Sequence, residues 1–176
     1  MTQRNSPDGI AKRTRRLTLT ALLCALALTL SGLEMLIPPL PFLPPGAKLG
    51  LSNIVTMFTA GSLGLLPALL IAVFKALFSL LMRGGVAFLM SLCGGLLSTL
   101  VMGLLLKFAP SFGLVGVGIL GALCHNFAQL LVAMWLTTTV ILYYLPFLLL
   151  FALLTGALTG LVLRLVLPAL QKLYPD

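Results

Sequence analysis

The stretch LGLSNIVTMFTAGSLGLLPALLIAVFKALFSLLM, residues 49–82, decides how this chain folds. It holds 34 residues and one charge, Lys75. As a single helix it would be about 51 Å long at ~1.5 Å per residue, far beyond a bilayer core of about 30 Å. Two full crossings would need about 40 residues plus a turn. Gly61-Ser62-Leu63-Gly64 supplies a break, and Pro67 can open the next helix, because the first turn of a helix has no use for the missing proline N–H. Two short helices result, one of them not fully crossing.

Clearer apolar spans flank this stretch at residues 17–37, 86–106, 112–136 and 142–167. The first stops where Pro38, Pro39, Pro41, Pro44 and Pro45 crowd a short loop, each removing a backbone donor and fixing φ. Basic residues decide the number of crossings. With six spans, Arg4, Lys12, Arg13, Arg15, Arg16, Lys107, Arg164 and Lys172 share one side, against Lys48 and Arg83 on the other. Five spans would split the same residues six against four. Positive charge concentrates on the cytoplasmic side, so the sequence predicts six spans with both termini cytoplasmic. The organisation is a basic cytoplasmic tail over residues 1–16, one six-helix transmembrane domain over residues 17–167, and a cytoplasmic C-terminal tail over residues 168–176. The expected fold is an all-α integral membrane protein, a bundle of six transmembrane helices.

Composition agrees. The chain of 176 residues is 60% hydrophobic and 8% charged, with mean hydropathy +1.19. Soluble domains carry about 25% charge, so lipid must be the solvent here. The net charge of +8 does not indicate nucleic acid, because five of the eleven basic residues fall in the first sixteen positions, beside the first span. That apolar run continues past the length of a signal peptide, which favours a retained helix. Cys24, Cys93 and Cys124 lie in apolar segments without metal-site spacing, and His125 is the one histidine, so neither a metal nor a cofactor is expected. Seventeen glycines, among them Gly156-xxx-Gly160 and the Gly113, Gly116, Gly118, Gly121 series, allow close helix packing in lipid.

The functional signal is a handful of polar residues inside these spans. A charge at the bilayer centre costs roughly 2.5–3.5 kcal/mol on insertion scales, so it faces a cavity or a partner. Lys75 needs a counter-charge, a carbonyl cage or an anionic ligand, and Glu34 is the acidic residue within a span. His125 and Gln129, four apart, share a helix face that Gly118, Gly121 and Ala122 continue. They are interhelical glue, ligand contacts or a proton relay. Lys48, Asn53, Arg83 and Glu34 map to the outer rim, where two cations and an amide suit a carboxylate or phosphate, or else mark helix ends at the headgroups. No nucleophile–base set, paired carboxylates or phosphate loop is present, so no catalytic residue is assigned; at most the chain is a non-catalytic subunit.

The segment Pro45-Gly46-Ala47-Lys48-Leu49-Gly50-Leu51-Ser52-Asn53-Ile54-Val55, together with Phe74-Lys75 and Arg83-Gly84-Gly85, resembles the Gx transporter family, also called heptaprenyl diphosphate synthase component I. That family is similar to the substrate-binding S components of energy-coupling factor (ECF) transporters. The resemblance implies a six-helix bundle with a pocket toward the outside. It also implies a helix 1 surface with an Ala-xxx-Ala motif, matched here by Ala21 and Ala25 and extended by Ala27 and Ser31, that docks on a coupling protein working with ATPases. The expected function is capture of a small anionic or amphipathic molecule by Lys48, Asn53, Lys75, Arg83, His125 and Gln129. Two alternatives stand beside it: a membrane subunit holding a soluble prenyl synthase and its product, or an anchor in a flavin or quinone electron-transfer system with a flavoprotein partner.

Overall fold

A computed structural model describes residues 7–36, 50–136, 143 and 145–173. Lys48 and the proline-rich segment lie outside the described residues. The chain forms α1 (Pro7–Met35), α2 (Leu51–Ser62), α3 (Leu65–Arg83), α4 (Gly85–Phe108), α5 (Gly113–Leu136) and α6 (Leu145–Leu173), with a single 3-10 turn at Pro110–Phe112 between α4 and α5. All but α2 are long and apolar enough to cross a membrane, which makes this a multi-pass membrane protein by length and composition.

The long apolar stretch breaks at Leu63 and Gly64, inside the expected glycine-rich turn, where Gly64 takes φ 94°. The helix before the turn is the short one. Twelve residues of α2 span about 18 Å, well under a bilayer core. Six helices are therefore present, five of them long enough to span, and α2 is the short helix that the sequence reading expected not to cross fully. Direction still alternates along the chain. Gly95 faces Ala72 while Gly103 faces Leu65; Gly94 faces His125 while Gly121 faces Met102; Gly156 faces Ile119 while Gly160 faces Leu114. In each pair the numbers run oppositely, so α3–α4, α4–α5 and α5–α6 are antiparallel. Lys12, Arg13, Arg15, Arg16, Lys107 and Arg164 gather at one end of the bundle, and Arg83 stands at the other.

Two boundaries differ from the sequence reading. Helix α1 starts at Pro7 rather than residue 17, since proline is at home in a first turn and residues 10–16 hold neither glycine nor proline. Helix α6 runs through Pro168 to Leu173 instead of ending at residue 167. Proline is tolerated in membrane helices where neighbouring groups take up the freed carbonyl.

Short as it is, α2 is the hub. Half of it is buried, and it packs against α1, α3, α4 and α6. Its Met57 joins Met102, Val117 and Leu163 in one apolar cluster, and its Val55 joins Ala27 and Ile71 in another. Ala27 and Ser31 therefore point into the bundle, whereas Ala21 and Ala25 are exposed; the four do not form one stripe, because two residues along a helix turn the side chain about 200°.

Both ends of α2 are held by α1. At its N-terminus, Gly50 adopts the left-handed conformation (φ 80°) and the Leu51 N–H donates to Glu34 Oε1. At its C-terminus, Arg16 Nη2 donates to the Leu63 carbonyl. Residues 16 and 34 are eighteen apart, about five turns at ~3.6 residues per turn, so both side chains leave one face of α1. Carboxylate meets the positive end of the helix dipole and guanidinium the negative end. Replacing Arg16 with glutamine is expected to lower stability by roughly 0.5–1 kcal/mol, read from thermal unfolding in nanodiscs; an unchanged transition would show that the Arg16 clamp contributes nothing.

Candidate functional site

Helices α2 and α3 leave the same turn, but α3 runs seven residues further (19 against 12), about 10 Å. Beyond the N-terminus of α2 the bundle encloses a cavity of about 190 Å³, toward the end away from the basic termini. Every helix contributes to its wall: Ser31 and Glu34 from α1; Ser52 and Asn53, with Gly50 just before them, from α2; Lys75, Ser79 and Arg83 from α3; Val86, Ala87, Met90 and Ser91 from α4; Ala122, His125, Asn126 and Gln129 from α5; Thr155 and Thr159 from α6.

Five of the six sequence-predicted ligand residues thus meet in one place: Asn53, Lys75, Arg83, His125 and Gln129. The sixth, Lys48, lies outside the described residues. Lys75 is buried, 6% exposed, and its Nζ donates to Asn53 Oδ1 at 2.8 Å. This bond merges the expected deep set and rim set into one constellation. Glu34 is also buried at the cavity wall, and its Oε1 accepts from the Leu51 N–H. Arg83 is exposed at the mouth.

His125 sits between the cavity and α4. It lines the cavity, and its Nδ1 lies 3.4 Å from Ser98 Oγ on α4, an interhelical contact. Its fit depends on Gly94. A Cβ there would stand 3.0 Å from His125 Cε1 and 3.1 Å from Gln129 Cγ, so both side chains lie against bare α4 backbone. Substituting Gly94 with alanine is expected to leave the fold intact and to push His125 and Gln129 into the cavity, weakening ligand binding about tenfold, ~1.4 kcal/mol. Unchanged affinity in isothermal titration would show that the pair does not touch ligand.

The hydroxyl lining escaped the sequence reading. Ser31 (2% exposed), Ser52 (4%), Ser79 (1%) and Gln129 (8%) are buried at the cavity, and none forms a hydrogen bond with another described residue. Their polar atoms border the open space of the cavity, where a ligand or solvent can pair with them. Thr155 and Thr159, by contrast, donate to their own helix at Phe151 O (2.8 Å) and Thr155 O (2.8 Å). The signal in the sequence was periodic: Lys75, Ser79 and Arg83 recur every four residues, as do Thr155 and Thr159. Among the described residues no group of three or more His, Cys, Asp or Glu could hold a metal ion.

Compared with known families, residues 23–166 match the model for heptaprenyl diphosphate synthase component I, most of the chain. The chain belongs to the heptaprenyl diphosphate synthase component I family. No curated protein and no solved structure matches it. The matched range of this component I chain takes in the whole cavity, from Ser31 on α1 to Thr159 on α6.

Proposed function

We propose that this protein is a substrate-binding membrane protein of the ECF S-component type, taking up a small anionic or amphipathic molecule. The observation that carries the reading is the cluster of a buried lysine and partner-poor serine and glutamine side chains around one cavity inside a membrane bundle. Keeping a lysine at that depth is costly unless it serves a ligand or relay. Lys75 and Asn53 hold the ligand's anionic end, Arg83 and Lys48 attract it at the mouth, and His125 and Gln129 complete the wall. The basic end of the bundle faces the cytoplasm in this reading, which puts both termini inside and opens the cavity outward. Ala21 and Ala25, exposed on α1, are the docking positions for a coupling protein whose ATPases supply the energy.

A second reading is favoured by the family description itself: a non-catalytic membrane subunit that partners a soluble heptaprenyl diphosphate synthase. A flavoprotein or quinone partner belongs to the same class of alternatives. Native mass spectrometry of the protein gently extracted from its own membranes separates them. Co-purification with a coupling protein, ATPases and a small polar molecule is the expected result. A prenyl synthase whose activity depends on this chain would replace the transport reading with the second.

A further inference from the structure

We infer that the basic end of the bundle, away from the cavity, is a binding collar for the phosphate headgroups of anionic phospholipid, built by Lys12 and Arg13 of α1, Lys107 of α4 and Arg164 of α6. The helix register brings these cations to one level. Arg16 reaches the Leu63 carbonyl in the α2–α3 turn, and a Cβ on Gly61 beside that turn would stand 3.6 Å from Leu106, next to Lys107. Gly160 faces Leu114, so Arg164, four residues on, stands level with about residue 110, in the turn between α4 and α5. Lys12, Arg13, Lys107 and Arg164 are all exposed, and none forms an ion pair with another described residue. With Arg15 and Arg16 they crowd this end with positive charge, against one described acid there, Asp8.

Depth names the partner. Lys12 to Arg16 precede Leu17, where the apolar span begins, by one to five residues, about 1.5–7.5 Å along a helix. The headgroup layer on each side of a bilayer core is about 5–8 Å thick, so these side chains lie among phosphates rather than in open water. Each helix also sets a cation beside an exposed apolar residue: Leu17 (64% exposed) after Arg16, Phe108 (70%) after Lys107 and Leu165 (71%) after Arg164. Lys107 Nζ lies 5.1 Å from the centre of the Phe108 ring. A phospholipid answers both halves of that pattern, acyl chain against the apolar residue and phosphate against the cation. An acidic soluble protein would answer the charge alone, and would have to displace headgroups to reach it. Arg16 is left out of the collar because its guanidinium already serves Leu63. The collar goes beyond orientation. Positive charge sets which way a chain inserts, whereas a lipid site makes the finished fold depend on the lipid around it.

The test places the full chain in nanodiscs of phosphatidylcholine alone, or with about one-third phosphatidylglycerol, and reads thermal unfolding. A cation near an anionic surface gains about fivefold in affinity, so the wild type should unfold at least ~3 °C higher with phosphatidylglycerol. A variant carrying Lys12→Gln, Arg13→Gln, Lys107→Gln and Arg164→Gln, with Arg16 kept, should unfold at one temperature in both lipids. Equal transitions of the wild type, or a lipid shift that the variant keeps, overturn the collar; a soluble protein lost by such a variant would then be its partner instead. Removing four cations can disturb insertion itself, so the wild-type shift is also followed to about 1 M salt, where the screening length falls to ~3 Å. A shift that collapses there supports the collar, and one that survives overturns it. Inorganic phosphate added to neutral nanodiscs should leave the transition unmoved, and a shift equal to that of the lipid would assign the cations to a soluble anion.

Discussion

Gly156→Leu is expected to prevent assembly of the bundle. A Cβ at Gly156 would lie 2.5 Å from the Ile119 Cα and 2.7 Å from the Gly118 carbonyl oxygen, both backbone atoms of α5. Gly160 meets Leu114 O and the Val115 Cα at 2.5 Å in the same way. Side-chain neighbours can change rotamer, but backbone cannot, so the two helices must separate along their whole contact. Overpacking a well-packed core costs about 1–3 kcal/mol, and a helix–helix seam forced apart exceeds that range. In lipid no hydrophobic gain restores the contact, because close packing is itself the attraction. Set against a typical total stability of about 5–15 kcal/mol, the loss is a large fraction. The measurement is yield of monodisperse protein by size exclusion after detergent extraction. Gly85→Ala is the control, since nothing lies within 4 Å of its added Cβ. Wild-type yield of Gly156→Leu would refute the assignment of this glycine seam to intramolecular packing.

Lys75→Met is expected to have the largest effect on binding. Methionine keeps the length and apolar stem while deleting the ammonium that reaches Asn53. Hydrogen bonds to charged groups contribute about 1.5–3 kcal/mol, which converts to roughly a 10- to 150-fold loss of affinity for the retained small molecule. Arg83→Gln should cost less, about 1 kcal/mol or below, because an exposed cation is solvated and screened. The ordering of the two dissociation constants is the test. Greater loss in Arg83→Gln would move the anion from the buried lysine to the rim.

How much of this was legible depended on how strongly each residue contradicts its surroundings. The Leu63-Gly64 break could be read because glycine and a following proline oppose a continuous helix, and the helices on either side could be read from unbroken apolar runs. Lys75, His125 and Gln129 stood out because an ionisable or amide group is rare in such a run. Ser31, Ser52 and Ser79 did not, because a serine in a membrane helix can satisfy itself on the preceding turn, as Thr59 does on Val55 O at 2.7 Å. Their lack of such bonds is a property of the fold alone. The helical start at Pro7 was hidden by charge: Lys12, Arg13, Arg15 and Arg16 mark the membrane boundary and are good helix formers as well. The shortness of α2 was suggested by length, but its two clamps were not, since pairing Arg16 with Leu63 and Glu34 with Leu51 requires the tertiary arrangement.

Those two clamps also set which changes in chain length this architecture can absorb. A single residue inserted or deleted in α1 between positions 16 and 34 rotates one end about 100° relative to the other. One charged side chain would then leave α2 and point into lipid. The segment is therefore locked in helical phase: individual side chains along its outer face are free to drift, while its residue count is not. Descendants of this sequence should vary freely in composition at positions such as Leu22 and Leu26, both exposed, and keep the eighteen-residue interval from arginine to glutamate unchanged.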